Sequence, residues 1–352
     1  MSDRVARLLP WLLVLPLLAM PLYVDGSWLI IGILGMAGAI GAIGLTVLTG
    51  TAGQLSLAHA FFLAVGAYGY AFLAAGSEPG GEASGLGLPS TVAALAAVLL
   101  AGLAGLAFSP VAARVKGLYL GVASLALVFI GEHVLRNAAP LTGGFNGRRV
   151  PTLSIGGFEL TGRNPELVVL GIPFLERERL WYLSVLVLVV SIVVATRIVR
   201  GRPGRALRLM RDSAAAAGSM GVEVRRYQAS AFVCSSMFAG VAGVLTALAF
   251  QYIVPQYFTL LLSVTFLAMV VIGGLGSVGG AVAGGVFVTA LPLVLEKFST
   301  SLTFLADPGT GGLDATMLAH LIFGASIVLV LVVEPGGLAA LGGRLRTLVR
   351  RS

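Results

Sequence analysis

The side chains best suited to chemistry are few and far apart in this sequence. There are three histidines, His59, His133 and His320, and one cysteine, Cys234. Each histidine falls in a separate stretch and the cysteine stands alone in an apolar run, so they assemble neither a metal cluster nor a disulfide framework. No Walker A sequence and no His-Glu-x-x-His occurs. The glycine-rich run Gly273-Gly274-Leu275-Gly276-Ser277 lacks the Lys-Ser/Thr that a phosphate loop needs. The acids sit at the ends of apolar runs, which leaves no carboxylate pair at mid-membrane depth to carry protons or ions. An ATP-hydrolysing chain, a metalloenzyme and an ion-coupled pump are therefore disfavoured, and we expect no catalytic residue, no metal and no cofactor.

Two polar stretches remain, and the chemistry open to them is non-covalent. The first is Gly50-Thr51-Ala52-Gly53-Gln54-Leu55-Ser56-Leu57-Ala58-His59, wedged between apolar runs. Two glycines and several polar side chains there indicate a broken helix, which a membrane tolerates only where the break is buried or lines a cavity. Gln54, Ser56 and His59 either line a translocation path or satisfy freed backbone groups. The second stretch, residues 197–226, holds eight of the 23 Lys/Arg residues. Arg202-Pro203-Gly204 should break the preceding helix. Arg205 to Met210, including Arg208, reads as a short helix. Asp212 or Ser213 suits the cap of a second helix built on Ala214, Ala215, Ala216 and Ala217, and Gly221 suits its end. A small alanine-faced helix between membrane spans is a docking element, or else a solvated basic loop.

These stretches must be positioned by membrane helices. Of 352 residues, 57% are hydrophobic and 11% charged, against roughly 25% charged in soluble proteins, and the mean hydropathy is +0.98. The 48 glycines suit close helix approach. The fold class we expect is an all-α polytopic transmembrane bundle of about ten spans, one domain over residues 1–352, with the helix broken near 50–59 and both termini cytoplasmic. The first span, 1–23, is interrupted by Pro10, Pro16 and Pro21 and could instead be a signal peptide, although no cleavage site follows. The second, 27–49, carries glycines at Gly32, Gly35, Gly38, Gly41 and Gly44, a stripe that winds around the helix. Residues 137–179 form an external segment. It opens on a turn at Gly143 and Gly144, and the run PTLSIGGFELTG within it predicts a small hairpin. Glu132 and Arg136 should pair across one helical turn. Residues 200–227 form the cytoplasmic loop, and Gly273, Gly274 and Gly276 a tight internal turn.

Charge supports this arrangement. Ten spans place 16 Lys/Arg and 4 Asp/Glu inside, 7 and 11 outside; the excess of +12 and deficit of −4 together give the net charge of +8. The bias follows the positive-inside rule. Aromatic residues are not interleaved among the arginines, so the basic balance marks topology rather than a nucleic-acid partner.

The pattern GRALRLMRDSAAAAGSMGV resembles the coupling region of ABC importer permeases, whose signature is Glu-Ala-Ala, three residues, then Gly. Ala216, Ala217 and Gly221 match, and Ala215 stands where the Glu would be. TGTAGQLSLAHAFFLAVGAYGY, LTGG and MVVIGGLGS are similar, in the same order, to segments of the branched-chain amino-acid permeases of the M type, covering about residues 44–298. The resemblance implies a permease subunit in a bacterial or archaeal inner membrane. It also implies a second permease, two ATPases that supply ATP hydrolysis, and a periplasmic or lipid-anchored binding protein. Arg205, Arg208, Asp212, Ala215, Ala216, Ala217 and Gly221 would then form the ATPase contact. Permeases for urea, short amides or aromatic acids look similar. A secondary transporter would need deep ionisable residues and an internal repeat, and the sequence has neither.

Overall fold

The computed structural model describes residues 14–76, 85–115, 117–162, 164, 167–169, 172–298, 315–333 and 336–340. Arg4 and Arg7, the acidic loop at 77–84 and the basic tail with Arg344, Arg346, Arg350 and Arg351 lie outside the described residues. The described chain is a helical bundle: α1 (Val14–Ala19), α2 (Gly26–Leu45), α3 (His59–Ala74), α4 (Ser90–Arg114), α5 (Leu118–Asn137), α6 (Glu176–Arg200), α7 (Arg202–Asp212), α8 (Ala214–Ser219), α9 (Val224–Phe250), α10 (Leu260–Gly273), α11 (Val278–Lys297) and α12 (Ala315–Val333). Six helices are long and apolar enough to cross a membrane, namely α2 with its extension to Thr51, α4, α5, α6, α9 and α11. Three shorter apolar helices, α3, α10 and the greater part of α12, stand beside them. The all-α membrane bundle read from composition is thus present. The first expected span is seen only from Val14 onward.

Burial sorts the helices into an axis and a shell. The apolar window of α2 is 89% buried and that of α9 72%, against 28–33% for α4, α5, α6 and α11. Shell helices turn large apolar side chains outward, such as Leu95, Leu99 and Leu103 on α4 and Leu186 and Val190 on α6. A patch of that kind demands an apolar surrounding, which a bilayer supplies.

The glycine stripe explains how α2 is buried on every side. A methyl group at Gly32 would overlap Trp181 of α6, at Gly38 Thr289 of α11, at Gly41 Phe266 of α10, and at Gly44 it would lie 2.6 Å from Phe238 of α9. Spacing of three falls short of a full turn, so the stripe turns past several neighbours; Gly35 and Gly38 both face α11, while Gly32, Gly41 and Gly44 meet α6, α10 and α9.

The end of the bundle that carries residues 137–179 is tied down by paired backbone and buried arginines. β1 (Arg148–Arg149) pairs antiparallel with Tyr252–Ile253, the last strand in the chain. β2 (Ser154–Ile155) and β3 (Phe158–Glu159) form the expected hairpin around Gly156 and Gly157, whose φ angles of 57° and 90° match a two-residue turn with both central residues left-handed. β4 (Leu167–Val169) and β5 (Ile172–Phe174) form a further hairpin. Buried Arg179 donates to the Glu159 carbonyl at 2.8 Å and to the Asn164 carbonyl at 3.2 Å. Gly143 and Gly144 turn the chain at φ 74° and 61°, and Glu132 pairs with Arg136 as expected.

Topology can be tested directly, because Asn146 and Ser213 are exposed at opposite ends of the bundle. In a Cys234→Ala background, a cysteine at Asn146 should react with an impermeant maleimide added outside, and one at Ser213 only after permeabilisation. Outside labelling at Ser213 would invert the fold in the membrane.

Candidate functional site

The break in the second span begins earlier than the sequence suggests. From Thr46 to Thr51 the helix widens into a π turn, a form that collects at functional sites. Gly53 takes φ 70°, the Gln54 amide turns back to the Leu48 carbonyl at 3.1 Å, and the Thr49 hydroxyl donates to the Gln54 carbonyl at 3.1 Å. Regular structure resumes at His59. The backbone between is buried in an apolar bundle, where an unsatisfied amide is costly. Neighbouring helices meet that need: the Leu57 amide donates to Ser124 Oγ of α5 at 2.8 Å, and the Ala60 amide to Ser263 Oγ of α10 at 3.0 Å. Sequence reasoning missed both serines. Their signal was faint, one serine inside each of two apolar spans.

The three polar residues of this segment divide. Ser56 is a local cap, accepting from the Ala58 amide at 3.3 Å. Gln54 is 6% exposed, and neither its amide nitrogen nor its oxygen has a hydrogen-bond partner. His59 is 1% exposed, its Nε2 lies against Gly41 without a well-formed hydrogen bond, and its ring sits 4.7 Å from that of Phe266. The hydroxyls of Thr46, Thr51 and Ser235 are likewise buried without partners. Phe266 also lines a cavity of about 340 Å³ among α2, α3, α9, α10, α11 and α12, apolar except at Thr246, Tyr257, Thr265, Thr289 and His320. Polar groups left open inside an apolar bundle are unusual in folded proteins, and here they accompany the break.

A second break faces the first. Gly274 and Gly276 have φ 106° and 83°, and Ser277 caps α11 by accepting from the Gly280 amide at 3.1 Å. This is the tight turn expected there. The backbones of the two breaks touch: a methyl group at Gly50 would overlap the Gly276 nitrogen and sit 2.8 Å from its Cα.

The basic loop packs beneath both. Here the helix boundary differs from expectation: α6 ends at Arg200 with Gly201 as its cap, and Pro203 lies in the first turn of α7 rather than beyond a break. Proline suits that place because its missing N–H would find no partner there anyway. Arg208 donates to the Val199 carbonyl at 3.1 Å, holding α7 against the end of α6. Ser213, not Asp212, caps α8, accepting from the Ala216 amide at 3.2 Å. Gly221 follows α8 at φ 83°. Leu207, Met210 and Ala217 point inward, forming with Leu48, Ala52, Ala112, Leu120, Ala231 and Phe232 a small core separate from the main one. Ala215, Gly218, Ser219 and Met220 are exposed, Ala216 is half-buried, and Arg205 and Asp212 face solvent. The structure therefore gives α8 one face for the bundle and one free face of small residues ending in Met220. Among the described residues no group of three or more His, Cys, Asp or Glu is placed to hold a metal.

Comparison with known proteins agrees with this architecture. The chain is 30% identical over 302 residues to the high-affinity branched-chain amino acid transport system permease protein LivM of Escherichia coli (strain K12). The same figures hold for LivM of Salmonella typhimurium (strain LT2). Each alignment covers 83% of this chain but 65% of the relative, so the chain spans less than two thirds of their length. A probable branched-chain amino acid transport permease protein LivM of Methanocaldococcus jannaschii is 23% identical over 253 residues, covering 70% of this chain and 67% of that one. No solved structure matches the chain. The family profile described as branched-chain amino acid transport system / permease component matches residues 28–331, which takes in the π turn, both breaks and the basic loop, and the chain belongs to that family.

Proposed function

We propose that this chain is a permease subunit of an ABC importer for branched-chain amino acids in a bacterial or archaeal plasma membrane. It would form the translocation path with a second permease, receive substrate from an external binding protein and be driven by two separate ATPase subunits. The observation that carries the reading is the basic loop. A short helix seated on a private core, with an exposed face of small residues, is built to enter a groove on another protein. Arg205, Arg208, Asp212, Ala215, Ala216, Ala217 and Gly221 make up this docking unit: Ala217 and Arg208 seat it, while Ala215 and the residues after it are offered to the partner. The external segment 137–179, pinned by Arg148 and Arg179, is the surface for the binding protein.

The test is uptake of labelled leucine by the full complex purified through this chain and reconstituted in proteoliposomes with its binding protein. Isoleucine and valine should compete, whereas urea, acetamide and phenylalanine should not. Competition by one of the latter alone would reassign the substrate, and absence of any bound ATPase would end the ABC reading.

Gln54 and His59 belong to the path in this reading, their open polar atoms serving a passing solute. The Gln54→Leu/His59→Phe double variant should lower leucine uptake at least tenfold with assembly retained, since apolar groups of similar size fill the space and relieve the desolvation cost of unpaired buried polar groups. Normal uptake would return both residues to a structural role.

A further inference from the structure

We infer that Arg211 is the positioning residue that links the docking loop to the broken segment of the second span. This rests on the reading of residues 197–226 as the ATPase-docking loop, but the contacts themselves are independent of it. Arg211 Nη1 donates to the Gly50 carbonyl at 2.8 Å. That carbonyl is free because the helix breaks: the Gln54 amide bonds to Leu48 instead, leaving Gly50 among the open carbonyls of a helix end. The guanidinium supplies a charge-assisted bond to it.

The stem of Arg211 makes a second contact. It runs against Gly53, where a methyl group would overlap Arg211 Cγ and lie 3.1 Å from its Cβ. Gly53 is therefore required twice, for its left-handed backbone and for the space the arginine takes. Gly50 in turn abuts Gly276. One side chain thus joins the end of α7 to the break after α2, and that break abuts the turn between α10 and α11 through Gly50. The shared core of Leu48, Ala52, Leu207 and Met210 runs alongside, so the loop and the break are packed as one body. The rest of the Arg211 side chain reaches the surface. It is 45% exposed, with Nε 3.5 Å from the exposed Asp212 carboxylate. A displacement of α7 and α8 would pull on the Gly50 carbonyl, and through it on the segment carrying Gln54.

Arg211→Met separates this role from folding, because it keeps the apolar stem over Gly53 and removes every donor. In the reconstituted complex it should retain bound ATPase and binding-protein-stimulated ATP hydrolysis within about twofold of wild type, while leucine taken up per ATP falls at least tenfold. Arg211→Lys, which keeps a charged donor, should recover most of that ratio. A merely structural arginine would lower assembly, hydrolysis and uptake together and leave their ratio unchanged, and that result overturns the inference. So does wild-type uptake per ATP in Arg211→Met. Should Arg211→Met fail to assemble, Arg211→Leu, which also lacks a donor, carries the same test, and failure of both assigns Arg211 to folding. If the wild-type complex itself carries no ATPase, the permease reading fails and the link to ATP hydrolysis goes with it.

Discussion

Replacement of Gly50 by valine is expected to abolish accumulation of the folded protein in the membrane. The β-carbon alone would overlap the Gly276 nitrogen and lie 2.8 Å from Gly276 Cα. Both obstacles are backbone, so no rotamer change relieves them. Overpacking a well-packed core costs about 1–3 kcal/mol, occasionally more, and this site offers none of the usual escape. Displacing Gly50 would also carry its carbonyl away from Arg211. The check is the monodisperse peak of a fluorescent fusion in detergent, compared with Gly218→Val at a position where a methyl group meets nothing within 4 Å. A normal peak for Gly50→Val would mean that the two breaks are not in contact in the membrane.

Ala215→Arg is expected to leave the chain folded and strip it of its ATPases. Ala215 is exposed on α8, so a long side chain there has room in the isolated subunit. In the docking proposed above, the same side chain would bring a steric clash and a charge without a partner into the contact. Hot-spot disruptions of this kind cost about 2 kcal/mol or more, roughly a thirtyfold loss of affinity. Yield and melting temperature should match wild type, while co-purified ATPase and leucine uptake should both disappear. Ala217→Arg is the contrasting control, since Ala217 is fully buried in the small second core and its replacement should unseat the helix itself. Retention of ATPase by Ala215→Arg would remove α8 from the interface.

Much of the architecture was legible in the chain because membranes simplify the code. Apolar length reported helices, and glycine spacing reported close packing of the second span against its neighbours. The turn residues were equally explicit: Gly156-Gly157 and Gly274 with Gly276 adopt left-handed backbone where their neighbours in sequence predicted turns. The short helix between Ser213 and Gly221 was legible because capping and alanine content are local properties. The start of α7 was misplaced because Pro203 signals both a break and a beginning, and only the Gly201 cap before it resolves which.

What the sequence alone could not convey is long-range pairing. That Ser124 and Ser263 cap the broken segment, that Gly50 meets Gly276, and that Arg211 reaches across 161 positions to the Gly50 carbonyl depend on which helices become neighbours. Local composition sets helix content and turns, because those follow from each residue's own transfer energy and backbone preference. Neighbour choice follows instead from the summed fit of whole surfaces, so the contacts that join loop to membrane segment exist only once the bundle has closed.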